Sequence, residues 1–211
     1  MNGILRWMFF ALIVRPLILV IIGLNVRHRE RLPQQGPAII AANHNSHLDT
    51  LVLMSLVPLR LLPQIRTVGA ADYFMRNRLL AWFATAIIGI IPVNRMQPVF
   101  HPLADAFASL DEGRIVIMYP EGTRGEPEVM RTLKRGIGHI AQNYAAVPVI
   151  PVFMHGLGKA MPKGDPVLVP FFCDVYIGEP VHATDNVREF MVELGEQFAK
   201  LREESGQKPW V

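Results

Sequence analysis

Along most of the chain, short apolar runs alternate with longer segments whose apolar positions recur at helical spacing. "AIIAAN" predicts a strand and "SHLDTLVLMSLV" a helix; "IRTVGAA" predicts a strand, and "DYFMRNRLLAWFATAI" one helix with Asp72 as its N-cap. "GIIPVNR" is a short strand, "HPLADAFASLDEG" a helix stopped by Gly113, "RIVIMYP" a buried strand and "RTLKRGIGHIAQNYAA" a helix. "PVIPVFM" and "VLVPFFCDVYIG" are strands, and "DNVREFMVELGEQFAKLREES" is a closing amphipathic helix. This order predicts an α/β fold: a single domain with a largely parallel mixed sheet flanked by helices. Sites in such sheets lie beyond the carboxyl ends of strands. Two polar stretches fall at such ends, "NHNSHLDT" and "YPEGTRGE".

The N-terminus breaks the alternation. "ILRWMFFALIVRPLILVIIGLNV" (Ile4 to Val26) is apolar on every side and predicts a hydrophobic helix ahead of the sheet. Arg6 and Arg15 interrupt it and Pro16 follows, leaving Pro16 to Val26, short of the roughly 20 residues a span needs. An anchor lying in the membrane plane is favoured over a true span or a buried core helix. Arg27, Arg29 and Arg31 suit an anionic leaflet, which predicts membrane association at the cytoplasmic face of the inner (plasma) membrane. "RLPQQGP" reads as a linker. The expected division is therefore residues 1–31, the membrane-associating helix and its basic flank, and residues 32–211, the catalytic domain.

Composition sharpens this reading. At 211 residues the chain is long enough to bury one real core. Apolar residues make up 51% and charged ones only 18%, which fits a bilayer-associated protein. The net charge of +3 suits anionic partners, but basic residues do not interleave with aromatics as a nucleic-acid groove requires, so no nucleic-acid partner is expected. The single cysteine, Cys173, excludes an internal disulfide and sits in an apolar run as a small hydrophobe.

His44 and Asp49 are spaced so that the carboxylate can hold one imidazole nitrogen and leave the other as a base. The competing reading is a helix cap, with Asn45, Ser46 and Asp49 satisfying first-turn amides. A metal site from His44, His47 and Asp49 is disfavoured, because residues two apart diverge on a helix. In "YPEGTRGEP", Gly122 lets the backbone approach a ligand, Arg124 can fork onto a phosphate, and Glu121 can orient Arg124 or accept a substrate hydroxyl. Here a surface turn with a local ion pair is the alternative. Arg95 at the end of "IPVNR" and Lys134 with Arg135 in "LKRG" are further candidate phosphate contacts. There is no G-x-S-x-G and no H-E-x-x-H or P-loop; "GIGHIA" lies within a helical pattern, not straight after a strand, and is rejected as a dinucleotide fingerprint.

Taken in order, "NHNSHLD", "GIIPVNR", "PEGTRG" and "VPVIPV" resemble the four blocks of the glycerolipid and lysophospholipid acyltransferases, the 1-acylglycerol-3-phosphate O-acyltransferases. The resemblance runs from about Ala38 to Val152, and departs from the usual pattern at Asn94 and Gly125. It implies that His44 is the general base and Asp49 its partner, with Arg95, Glu121, Gly122, Thr123, Arg124 and Lys134 around the acceptor phosphate. It implies acyl transfer from acyl-CoA or acyl carrier protein to a lysophospholipid in the bilayer, with no metal and no cofactor beyond the thioester co-substrate. Another acceptor, such as glycerol-3-phosphate, another lysophospholipid or a lyso-aminolipid, is the nearest alternative. A non-catalytic membrane-binding module and a metal-dependent hydrolase are the more distant ones.

Overall fold

A computed structural model of the chain describes residues 2–94, 103–125, 129–161 and 168–206. Among these residues, seven strands form one sheet: β1 (Ile22–Arg27), β2 (Ala38–Ala42), β3 (Ile65–Ala70), β4 (Ile90–Val93), β5 (Ile115–Met118), β6 (Val149–His155) and β7 (Phe171–Ile177), in the order β1-β7-β6-β2-β5-β3-β4. Every pairing is parallel except β6 with β7, so the expected mixed, largely parallel sheet is present. β2, β5 and β6 are buried at every position, which is why they read as continuous apolar runs and not as alternations.

The pleat sends successive side chains to two cores. Ile40, Ala42, Ile115 and Ile117 face one, beneath α1 (Asn2–Ile21) and α2 (Leu48–Leu56). Ile39, Ala41, Val116 and Met118 face the other, beneath α4 (Ala104–Asp111), α5 (Gly136–Asn143) and α6 (Val187–Glu204). α3 (Arg78–Ile88) packs beside α1, with Phe9 and Phe83 edge to face at 5.3 Å.

Three elements depart from their expected form. The helix expected from Asp72 is split: a short turn at Ala71–Phe74 is followed by α3, whose N-cap is Asn77, accepting from the Leu80 amide at 2.8 Å. Asp72 is not the cap of α3. The helix expected from Arg131 begins only at Gly136, because the Arg131 amide donates to the Glu121 carboxylate and the Lys134 amide to the Pro120 carbonyl. Those residues strap the preceding loop in place.

The third departure concerns the N-terminus. The helix stops at Ile21, and Ile22–Arg27 continues as β1, paired in parallel with β7 from Ile22↔Phe171 to Arg27↔Tyr176. The expected boundary at residue 31 therefore falls inside shared structure. The strand-forming Ile22 and Val26 are separated by Gly23 and Asn25, which serve a helix poorly. α1 is also seated on the domain by its inner stripe. Phe10, Val14 and Ile18 are buried, and both arginines turn inward. Arg6 Nη2 donates to the carbonyls of Ile65 and Ile88 at 3.0 Å each, and Arg15 Nη2 to that of Val57 at 2.6 Å. Gly89, at φ +80°, ends α3 beside Arg6; a Cβ there would lie 2.9 Å from the guanidinium.

Candidate active site

Register alone brings the two polar stretches together. β2 and β5 are parallel neighbours with Ala41 opposite Met118, so the residues that run on from the two strands emerge side by side. His44 and Glu121 each lie three positions beyond that pair, and the His44 amide donates to Glu121 Oε1 at 2.8 Å.

The His44 Nδ1 lies 2.8 Å from Asp49 Oδ2. Asp49 is fully buried in the first turn of α2 and also accepts from the amides of Asn45 at 2.7 Å and Ser46 at 2.9 Å. The dyad and the cap are thus one device: the carboxylate that satisfies two loop amides also orients the imidazole. With Nδ1–H directed at Asp49, the unprotonated Nε2 remains as the basic nitrogen. The ring keeps about 20% of its surface exposed, enough to meet a substrate.

The loop after β5 encloses His44. Glu121 binds its amide, the Gly125 amide donates to its carbonyl at 3.1 Å, and the Tyr119 ring stacks on its imidazole at 4.0 Å and 18°. From the strand on the other side, Asn43 exchanges two bonds with Met154, donating to its carbonyl at 2.8 Å and accepting from its amide at 2.7 Å. It thereby extends the β2–β6 ladder past the strand end by side chain.

Glu121 is not where a phosphate contact would be. It is almost fully buried, and its second oxygen, Oε2, accepts from the Arg131 amide at 2.7 Å. Burial pushes its carboxyl above the usual range while these two amides pull the other way. Its two oxygens tie the His44 loop to the strap. The amides of residues 44–46 are all committed to Glu121 and Asp49.

His44, Gly122, Arg124 and Lys134 line one cavity of about 640 Å³. The Lys134 stem crosses Gly122, which has φ +72°; a Cβ at Gly122 would lie 2.8 Å from it. The cavity also takes in apolar walls from α1, the Ala71–Phe74 turn, α3, β3 and β4, including Phe9, Phe74, Phe83, Ile88 and Ile90. His47 lines it too, 3.3 Å from the Tyr73 hydroxyl, and the Arg124 guanidinium lies over the Tyr73 ring at 5.6 Å. Burial, then Arg124 and His44, push the His47 imidazole down to about 4, so it is neutral at physiological pH. Thr123 is half-buried and is not among the lining residues. Arg95 lies outside the described residues.

A family model described as Acyltransferase matches residues 23–155, from within β1 to the end of β6. The chain belongs to the Acyltransferase family. It is 32% identical over 167 residues to the 1-acyl-sn-glycerol-3-phosphate acyltransferase of Bacillus subtilis (strain 168), covering 77% of this chain and 76% of that protein. It is 29% identical over 165 residues to the chloroplastic 1-acyl-sn-glycerol-3-phosphate acyltransferase LPAT1 of Arabidopsis thaliana, covering 76% of this chain and 44% of that one. The chain thus spans less than half the length of some curated relatives that it matches. The crystal structure of the 1-acyl-sn-glycerophosphate acyltransferase PlsC from Thermotoga maritima superposes with a TM-score of 0.77 at 20% identity, over 99% of this chain and 81% of that one, which establishes the shared fold.

Of the residues that sequence singled out, the fold brings His44, Asp49, Gly122, Arg124 and Lys134 to one place, while the Glu121 carboxylate faces the His44 and Arg131 amides. Asn43 and Tyr119 are what residue-type reasoning passed over. Asn43 opens the first motif block and Tyr119 directly precedes the third, but neither carries a charge that would mark it.

Proposed function

We propose that this acyltransferase moves a fatty acyl group from a thioester donor, acyl-CoA or acyl carrier protein, to the free hydroxyl of 1-acylglycerol-3-phosphate, giving phosphatidic acid. The observation that carries the reading is the His44–Asp49 pair at 2.8 Å opening into the same cavity as Arg124 and Lys134. His44 Nε2 takes the proton of the acceptor hydroxyl as the oxygen attacks the thioester carbonyl. Asp49 stabilises the imidazolium that forms. Collapse of the tetrahedral intermediate breaks the carbon–sulfur bond, and the imidazolium returns its proton to the departing thiolate. No enzyme-bound acyl group is needed.

Arg124 and Lys134 supply the positive charge for the acceptor phosphate. The apolar walls suit an acyl chain, since ligand pockets of this size are typically lined by hydrophobic and aromatic side chains.

The surface supports a bilayer partner. With Arg6 and Arg15 turned inward, the outer face of α1 presents Trp7, Met8, Leu12, Ile13, Leu19 and Val20, and α3 beside it adds Leu79 and Trp82. Leu19 and Val20 are over 80% exposed or at 80%. An apolar stripe on a helix fixed to the domain by its other side fits insertion in the membrane plane, and the exposed Arg27 and Arg29 favour an anionic, cytoplasmic leaflet, whereas Arg31 is paired with Glu179. Phe9 and Phe83 place the inner sides of the same helices on the cavity wall. The acceptor could then reach His44 without leaving the membrane surface.

The test is an acceptor panel with one labelled acyl-CoA: 1-acylglycerol-3-phosphate, glycerol-3-phosphate, other lysophospholipids and a lyso-aminolipid. Labelled phosphatidic acid as the dominant product supports the reading. Preferential labelling of another acceptor replaces the substrate, and no thioester-dependent transfer with any acceptor or acyl carrier protein rejects the activity.

A further inference from the structure

The Asp49 carboxylate fixes only one edge of the His44 ring. An imidazole held by a single in-plane hydrogen bond can still tilt about that bond, carrying Nε2 away from the acceptor hydroxyl. Tyr119 occupies the direction of that tilt. Its ring lies against the imidazole with centroids 4.0 Å apart and planes within 18°. Its own hydroxyl is 2.7 Å from Thr50 Oγ1.

Thr50 directly follows Asp49 in the first turn of α2. The two groups that constrain the imidazole, a carboxylate on its edge and an aromatic ring on its face, are therefore anchored to consecutive residues of one helical turn. Tyr119 arrives from the other direction, as the first residue past β5, and spans from that strand end to α2. Burial and the charge of Asp49 push the Tyr119 phenol well above its ordinary range, so its hydroxyl stays protonated for the bond to Thr50. As His44 gains the acceptor's proton, the developing imidazolium lies over the electron-rich face of the ring, where a cation is favoured.

We propose that Tyr119, tethered by Thr50, is a positioning residue that holds the His44 imidazole in its reactive plane. The proposal rests on the reading of His44 as general base. It makes the ring responsible for alignment and the hydroxyl responsible for keeping the ring in place. The two parts separate by substitution.

The experiment measures kcat and both KM values for Tyr119→Leu, Tyr119→Phe, Thr50→Val and the Tyr119→Phe/Thr50→Val pair, and repeats Tyr119→Leu in a His44→Ala background. Tyr119→Leu should lower kcat by about tenfold, the upper range of an aromatic contact, with both KM values within about twofold. Tyr119→Phe keeps the ring and should lose only about threefold; Thr50→Val should match it, and the pair should lose no more than either alone. On the residual activity of His44→Ala, Tyr119→Leu should have no effect, because the group through which it acts is gone. The proposal is overturned if Tyr119→Leu keeps full kcat, if it acts through KM, or if it lowers the His44→Ala residue of activity by the same factor as in the parent. If Tyr119→Leu fails to fold, the Phe and Val variants decide: additive losses overturn the tether. A His44→Ala protein with parental turnover would instead remove the underlying base assignment, and with it this inference.

Discussion

Asp49 and Glu121 are the residues on which the site's geometry depends, and each predicts a distinct failure. Asp49 Oδ2 accepts two amides and faces the His44 ring. Asp49→Asn, with its amide oxygen kept toward those donors, places its NH2 at the buried Oδ1 position that has no partner and leaves it unsatisfied at about 1–3 kcal/mol. It should lose both turnover and thermal stability, whereas His44→Ala should lose turnover alone; calorimetry beside the acyl-transfer assay separates the two. Glu121→Gln keeps one acceptor where two are needed. It should lower kcat while leaving the acceptor KM within about twofold. Arg124→Ala should raise that KM by about tenfold or more, the worth of a charged hydrogen bond, and Arg124→Lys should not restore it. An acceptor KM that rises for Glu121→Gln as steeply as for Arg124→Ala would return Glu121 to the phosphate site. His47 supplies a pH signature. Its folded value of about 4 lies below the ordinary 6.5, so the fold holds this proton less tightly than the unfolded chain does. Its contribution is fully present above pH 6.5 and is lost as pH falls toward 4. His47→Gln should therefore show a smaller drop in Tm between pH 7 and pH 5 than the parent; an equal drop assigns the acid sensitivity elsewhere.

At the scale of elements, the sequence resolved what periodicity and length can resolve. β2, β5 and α6 were legible because each buries its apolar residues in one repeating pattern. β1 was not, because Ile22–Arg27 continues the apolar run of α1 without a break, and only its partner β7 makes it a strand. Residues 131–135 of the strap read as helix in the sequence because their bonds to Pro120 and Glu121 are long-range and leave no local mark. The contact between His44 and Asp49 was legible because residue type and spacing carry it. Asn43, Tyr119 and the true task of Glu121 became visible only when the strands were placed side by side. The same placement changes what truncation should do. A chain starting at Arg31 loses β1 and the buried Phe10, Val14 and Ile18, three core side chains worth about 1.5–3 kcal/mol each. It should not fold to the parent's cooperative melt. Leu12→Asp/Leu19→Asp, confined to the exposed face of α1, should keep the fold and its melting temperature and leave the liposome pellet. Full sedimentation of that variant would put the membrane contact on another surface.

Over the whole molecule, a parallel register gathers the chemistry at one end of the sheet, and two helices that wall the cavity turn their other sides outward as an apolar surface. His44, Arg124, Lys134, the apolar cavity walls and the exposed apolar faces of α1 and α3 form one continuous arrangement because β2 and β5 are neighbours and α1 packs on α3. On the proposed reading, His44, oriented by Asp49, is the base that activates the acceptor. The most direct measurement is the steady-state rate of labelled acyl transfer from acyl-CoA to 1-acylglycerol-3-phosphate for the parent, His44→Ala and His47→Ala, with folding checked by circular dichroism. His44→Ala should fold and lose at least about 10²-fold in kcat, the low end for a general base, while His47→Ala loses far less. A folded His44→Ala protein with near-parental turnover, or a larger loss in His47→Ala, would contradict it.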